Sequence, residues 1–129
     1  MDINKFEHSD NLINKQDLDR IETTIGVHFG EQLKEYVLTY GYLAHQYIEL
    51  LGINSVQMLD SDMVVQTLNL HQYHPKTVGF VAIENLGAGF WGLVDKDDNA
   101  FEYDAETGQL KALNMKLSDY IVQRFQTVE

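Results

Sequence analysis

Apolar residues recur every three to four positions in four stretches of the chain, the spacing of a helix that buries one face. The first stretch is predicted to begin after Asn14, whose side chain can cap a helix with Asp17 as the reciprocal acid, and to end at Gly26. The predicted helices are Gln16–Ile25, Glu31–Tyr40, a third from a cap at Ser61 to about His71, and Ser118–Gln126. The third is expected to bury Met63, Val64, Thr67, Leu68 and His71.

Between the third and fourth helices the pattern changes to short runs of branched and aromatic residues, which pack well on a pleated surface. The runs Phe80–Glu84, Phe90–Val94 and Ala100–Tyr103 predict three strands, and the intervening turns are rich in Gly, Asp and Asn. Strands joined by such tight turns must be antiparallel. Gln109–Asn114 is predicted to add an edge strand, and the nearly continuous apolar residues within Tyr42–Ile53 predict one more.

This order of elements predicts an α+β fold. We expect a single domain over residues 1–129, with an irregular leader at 1–15 and a core at 16–126. An antiparallel meander of about four to five strands would pack against an N-terminal helix pair, a middle helix and a C-terminal helix. Strand alternation places Trp91 and Leu93 on one face and Phe90, Gly92 and Val94 on the other. One of these two faces is expected to meet the helices.

Net charge narrows the range of partners. Twenty acidic residues against nine basic ones give a net charge of −11. A protein this acidic repels nucleic acid and anionic membranes and attracts basic proteins, and that attraction weakens with salt. There are no cysteines, so disulfides and thiolate metal sites are excluded. The N-terminal residues lack a signal-peptide pattern, and the expected location is the cytoplasm.

The acidic turn after the second meander strand resembles a calcium loop in spacing. Asp95, Asp97, Asn99 and Glu106 fall at positions one, three, five and twelve of an EF-hand loop. Position six, where that loop needs glycine, is Ala100, and the flanking segments are predicted strands where the motif requires helices. An acidic hairpin turn explains the same residues. The sequence therefore predicts no metal site and no cofactor.

Catalytic patterns are equally weak. Gly87-Ala88-Gly89 precedes a strand, whereas a phosphate-binding loop leads into a helix. His71 and His74 stand before Pro75 at the end of a predicted helix, a poor arrangement for a metal. No serine or threonine lies in a nucleophile motif, and carboxylates in an exposed turn keep ordinary pKa values and make poor general acids near neutral pH. We predict that the protein is not an enzyme.

Four segments in this order resemble the SUKH superfamily, which includes immunity proteins and a fungal regulator of cell-wall assembly. They are the helix pair LDRIETTIGVHFGEQLKEYVLTYG, the strand YIELLGI, the meander AIENLGAGFWGLVDKDDNAFEYDAETG and the closing helix LSDYIVQRF, together about Asp17–Phe125. Two positions depart from the family pattern. Phe29-Gly30 stands where proline is common before the second helix, and Gly41-Tyr42-Leu43 where two glycines and a polar residue often follow it.

The resemblance implies a small α+β protein without enzymatic activity that binds and blocks a basic toxin domain, such as a nuclease. The negative charge is what neutralising such a partner would use. Contacts are predicted from polar and aromatic residues of the meander and its turns, with flanking residues nearer the helix pair. The candidates are Tyr42, Glu49, Glu84, Asn85, Trp91, Asp95, Asp97, Asp98, Glu102 and Asp104.

Two alternative functions stay open at this point. The first alternative is a regulatory or scaffold interaction module without a toxin, as the fungal relative suggests. The second is a small domain that binds a metal or ligand at its acidic turn. A toxin-like reading frame beside the gene favours the immunity function. A thermal shift with calcium favours the ligand-binding function, because a ligand that binds only the folded state stabilises it.

Overall fold

Residues 5–53 and 59–128 are described by the computed structural model. The first four residues of the predicted leader therefore lie outside the described residues. The four predicted helices are confirmed, with ends shifted by one or two residues. They are α1 (Lys15–Ile25), α2 (Glu31–Thr39), α3 (Met63–Tyr73) and α4 (Leu117–Gln126).

The predicted cap of α1 is confirmed. The Asn14 side chain accepts a hydrogen bond from the Asp17 amide at 2.9 Å, and the Asp17 carboxylate accepts one from the Asn14 amide. The helix ends at Gly26, whose φ of 80° is the left-handed conformation that glycine adopts without strain. Local sequence chemistry alone thus fixes both ends of this helix.

The predicted cap of α3 is wrong by one residue. Asp62, not Ser61, accepts hydrogen bonds from the amides of Val64 and Val65, at 2.8 and 3.0 Å. Met63 and Thr67 are buried as predicted, but Leu68 is 38% exposed. Either Ser or Asp can cap a helix, so the sequence pattern could not choose between adjacent candidates.

Tyr42–Ile53 does not form the single strand that its apolar run predicts. Two short strands, β2 (Leu43–His45) and β3 (Ile48–Glu49), pair as a hairpin, and β1 (Glu7–His8) pairs with the other edge of β2. The turn of the hairpin places Gln46 at a φ of 55°, which is uncommon for a residue other than glycine, asparagine or aspartate. A turn without the usual turn residues left no signal in the sequence.

The meander is a four-stranded antiparallel sheet in chain order. Its strands are β4 (Val81–Gly87), β5 (Phe90–Val94), β6 (Asn99–Asp104) and β7 (Gln109–Lys116). The predicted edge strand is confirmed as β7. With the helices and the smaller sheet, this establishes the predicted α+β fold.

Helices contact both faces of the large sheet, whereas the sequence predicted contact with one. On the Gly92 face, a Cβ atom on Gly92 would lie 2.4 Å from the Tyr120 hydroxyl of α4, so glycine allows this helix to pack closely. On the Trp91 face, the Tyr103 hydroxyl lies 3.1 Å from Nδ1 of His74, at the end of α3. The sheet is therefore a central layer over part of its area.

The two sheets are joined along β4. Leu50 forms an antiparallel bridge with Glu84, and the Leu51 amide donates to the Ile83 carbonyl at 2.8 Å. Phe6 is 6% exposed and packs edge-on against Phe125 of α4. The prediction of an irregular leader is therefore wrong for Phe6 and β1, because their contacts lie far along the chain and leave no local period.

Candidate functional site

The predicted contact residues do not form one surface. Asp95, Asp97 and Asp98 lie at one end of β5, and Asn85, Trp91, Glu102 and Asp104 lie towards the other. Five residues of extended strand separate these ends by roughly 13 Å. Tyr42 and Glu49 belong to the small-sheet region. The local roles of these groups decide which of them a partner can reach.

Glu84 is unavailable to a partner, contrary to its prediction as a contact residue. It is 2% exposed, and its carboxylate accepts hydrogen bonds from the Tyr120 hydroxyl at 2.7 Å and from Nε and Nη2 of Arg124 at 2.8 and 2.7 Å. Burial, together with the adjacent negative charge of Glu84, raises the pKa of Tyr120 and keeps its hydroxyl a donor. This bidentate ion pair holds α4 on the sheet.

Asp98 is also unavailable and also differs from its prediction as an exposed contact. It is 6% exposed, and its carboxylate accepts hydrogen bonds from the amides of Gln32 and Leu33 at 2.9 and 3.0 Å. It thereby caps α2 from the turn between β5 and β6. The N-cap residue of α2 is Gly30, and a Cβ atom there would lie 2.4 Å from the Asp98 carboxyl group. Glycine leaves room for a cap supplied from 65 residues away.

Asp95 organises its own turn. Its carboxylate accepts hydrogen bonds from the amides of Asp97 and Asn99 at 2.9 and 3.0 Å and from the Asn99 side chain at 3.1 Å. Partial desolvation acts to raise its pKa, but these hydrogen bonds together outweigh desolvation and lower the pKa. Of the three aspartates in this turn, Asp97 is the one whose side chain is exposed without such a bond.

The other end of the meander retains some reachable groups. Asn85 is exposed and accepts a hydrogen bond from the Gly87 amide, while Trp91 and Glu102 are half-buried. Slight desolvation acts to raise the pKa of Asp104, but hydrogen bonds from the Thr107 side chain and from the amides of Glu106 and Thr107 outweigh it and lower that pKa. Glu102 lies directly across from Lys111 in the sheet, without an ion pair between them among the described residues.

A third surface collects carboxylates without ion-pair partners. Glu7, Ala44 and Glu49 lie side by side across the small sheet, and therefore on the same face. Tyr42 is half-exposed and precedes Ala44 by two residues, and its pKa is raised first by slight desolvation and then by the negative charges of Glu7, Glu49 and Asp10. We call this surface, made of Glu7, Asp10, Tyr42, Ala44 and Glu49, the Tyr42 face.

None of the three carboxylates on the Tyr42 face belongs to an ion pair within the described residues. Those pairs join Arg20 to Asp17, His28 to Glu22 and Arg124 to Glu84. Glu49 instead accepts a hydrogen bond from the Ser61 hydroxyl. An aromatic ring among unpaired carboxylates suits an arginine- or lysine-bearing protein surface, because the ring can stack on the cation while the carboxylates neutralise it.

Sequence reasoning found Tyr42 and Glu49 but missed Glu7 and Asp10. Both lie in the segment predicted to be an irregular leader. Only the pairing of β1 with β2 and the bond from the Ser9 amide to the Tyr40 carbonyl place them beside Tyr42. Phe6 is the single apolar residue in KFEHSD, so this segment offers no period from which the sequence could place Glu7 and Asp10.

The calcium-like residues are not brought together. Asp95 and Asn99 lie at one end of β6, whereas Glu106 follows the other end, a strand of six residues and roughly 16 Å away. Within residues 5–53 and 59–128, no group of three or more histidines and carboxylates is arranged to hold a metal ion. Over the same residues, none of the helices has the length and hydropathy needed to cross a membrane.

Comparison with protein families agrees with the fold and with the resemblance noted above. The family model SUKH_5, described as SMI1-KNR4 cell-wall, matches residues 3–126, nearly the whole chain. The chain belongs to this family. No curated protein matches it.

The structure gives this SUKH-family chain a reason for one departure from the family pattern. Gly30 replaces the expected proline, and a Cβ atom at this position would lie 2.4 Å from the Asp98 carboxyl group, too close for non-bonded atoms. Proline carries such an atom, so the long-range cap on α2 and a proline at this position exclude each other in this arrangement. The glycine and the aspartate are therefore a structural pair.

Proposed function

We propose that this SUKH-family protein is a non-enzymatic immunity protein that binds a basic toxin domain, such as a nuclease, and blocks it sterically. The observation that carries the proposal is the Tyr42 face, where Glu7 and Glu49 flank Ala44 on one face of the small sheet and form no ion pair within the described residues, on a chain of net charge −11. Its family, whose bacterial members often act as immunity proteins, supports the same function.

The physical argument favours occlusion over catalysis. A nuclease domain carries a basic surface because it binds the phosphates of nucleic acid. An acidic protein presents to that surface a negative electrostatic field like that of the phosphates. Charged groups at such an interface increase the association rate and select the partner, while aromatic residues supply much of the affinity. We therefore expect tight association that slows as salt is raised.

The test begins with tagged protein and a lysate of the source organism at low and at high salt. A captured basic protein is identified, produced alone, and tested for toxicity with and without this chain. Toxicity that this chain relieves is the expected result. Capture of a protein that is harmless when produced alone would instead favour a regulatory or scaffold role.

Charge reversal then locates the interface. Glu7→Lys combined with Glu49→Lys should weaken binding of the toxin at least tenfold, because two attractive charges become repulsive. The matched control is Asp19→Lys combined with Asp119→Lys, which changes net charge equally at exposed positions on α1 and α4. Equal weakening by both pairs would show that net charge alone, and not the Tyr42 face, drives association.

A further inference from the structure

Another candidate contact surface lies between α2 and α4, beside Leu43 of β2. It is a groove of about 180 Å³. Its apolar lining is Tyr36, Tyr40, Leu43, Leu117, Ile121 and Val122. One end is closed by a hydrogen bond from the Ser118 amide to the Gln32 side chain at 2.9 Å. The groove is thus built by two helices that are tied together at its edge.

The size of the groove limits what it can hold. Pockets for small-molecule ligands occupy about 300–1,000 Å³. A groove of about 180 Å³ is too small for them but accommodates one large apolar side chain. Its floor is fixed, because Leu43 and Leu117 are buried and the Tyr36 hydroxyl donates to the Leu51 carbonyl at 2.6 Å.

The edge of the groove indicates the charge of the occupant. Glu35 is the one charged residue in the lining, and it is exposed. Val122 is 41% exposed, which leaves an apolar wall in contact with water. A side chain that covers Val122 would remove that apolar area from water, and a neighbouring cation would meet Glu35.

We propose that this groove binds one leucine-sized or aromatic side chain from a basic segment of a partner protein. The inference rests on the proposed function for the identity of that partner, which would be the toxin domain. The segment places its apolar residue against Val122 and Ile121 and a lysine or arginine beside Glu35. Such an apolar anchor in a preformed pocket is the usual source of affinity in protein interfaces.

Peptides test the groove without the toxin. The probe is an acetylated and amidated heptapeptide with one leucine between two pairs of lysines, and its control has serine in place of leucine. Each is titrated into ¹⁵N-labelled protein. The leucine peptide should shift the amide resonances of Tyr36, Ile121 and Val122 and saturate with a millimolar Kd, at least fivefold tighter than the serine peptide.

Val122→Arg provides the matching change in the protein, because it places a cation across the groove. Val78→Arg is the control, since Val78 is 60% exposed, does not line the groove and receives the same charge. Val122→Arg should weaken binding of the leucine peptide at least tenfold, and Val78→Arg should weaken it less than threefold. Both substitutions are at exposed positions, and circular dichroism confirms that each variant is folded.

Three outcomes would overturn the inference: equal binding of the two peptides, resonance shifts confined to other surfaces, or equal weakening by the two arginine variants. Failure of the proposed function is a separate result. If this chain relieves the toxicity of no captured protein but the leucine peptide binds as described, the groove is a binding site and the immunity function is wrong. If this chain relieves the toxicity of a captured protein but neither peptide shifts the resonances of the groove residues, the immunity function is supported and the groove is not its binding site.

Discussion

At the residue scale, the contact between Arg124 and Glu84 removes a predicted binding residue from the protein surface. The carboxylate is buried with three donors, and the guanidinium, about a quarter exposed, closes over it. A glutamate in this position cannot serve a partner, but its loss would affect the packing of α4. The exposed pair of Arg20 and Asp17 provides a contrast within the same molecule.

Arg124→Met should lower the free energy of unfolding by about 3 kcal/mol, because it leaves the charge of Glu84 buried without its main partner. Arg20→Met, the control at an exposed pair, should cost less than about 1 kcal/mol. Urea denaturation measures both. Adding Glu84→Gln to Arg124→Met should recover part of the loss, and equal losses in the two single variants would contradict the role given to burial.

At the scale of elements, the turn between β5 and β6 fastens the large sheet to α2 and α4. Asp98 caps α2 with its side chain, and its carbonyl accepts the amide of Leu117, the first residue of α4. Lys116 also donates to the Asp97 carbonyl at 2.9 Å. Acidic residues that resemble a binding loop in sequence are here largely structural.

Asp98→Ala should therefore cost about 1–2 kcal/mol of stability through loss of the helix cap. Gly30→Ala should also be destabilising, because its Cβ atom would displace the Asp98 carboxyl group. The two effects should be less than additive in the double variant, since both disrupt one cap. Asp97→Ala is the control and should change the free energy of unfolding by less than about 0.5 kcal/mol. Chemical denaturation measures all four variants. Equal losses of stability in Asp97→Ala and Asp98→Ala would contradict the role of Asp98 as the cap of α2.

The lowered pKa of Asp95 gives a pH dependence of known sign. A carboxyl group with a lower pKa in the folded state than its ordinary value of 3.8 stabilises the protein above that value and loses the contribution as pH falls through the folded-state pKa. The stability difference between wild type and Asp95→Asn should thus be constant from about pH 7 to pH 5 and shrink between about pH 4 and pH 2. Urea titrations across this range measure it, and a difference that stays constant to pH 2 would contradict the assigned hydrogen bonds.

For the molecule as a whole, the distribution of charge matters more than its sum. Hydrogen bonds or the ion pair with Arg124 engage Glu84, Asp95 and Asp98, whereas Glu7, Asp10 and Glu49 on the Tyr42 face form no ion pair within the described residues. The groove between α2 and α4 adds an apolar surface with little charge. A partner could use either surface, and charge-based and shape-based recognition respond differently to salt.

Association with a basic toxin should accordingly slow at least tenfold between about 50 and 500 mM salt, with a smaller change in the dissociation rate. Stopped-flow or surface-based kinetics would measure both rates. The charge-reversed variant at Glu7 and Glu49 should show a weaker salt dependence than wild type. An association rate indifferent to salt would exclude the Tyr42 face as the electrostatic contact.

The sequence by itself determined the α+β class, the four helices, the meander and the family. These features rest on local signals, namely the helical and strand periods, the cap of α1 and the Gly- and Asp-rich turns, which neighbouring residues encode. The split of Tyr42–Ile53 into a hairpin escaped this reasoning, because Gln46 carries no turn signal.

Only the tertiary structure decided which acidic residues a partner can reach. Glu84 meets Tyr120 and Arg124 from 36 and 40 residues away, and Asp98 meets α2 from 65 residues away. The same long-range pairing brings Glu7 beside Tyr42. Composition counts every carboxylate as equal, but the free energy of each charged carboxylate depends on its burial and on its hydrogen-bond donors. Residues distant in the chain supply both.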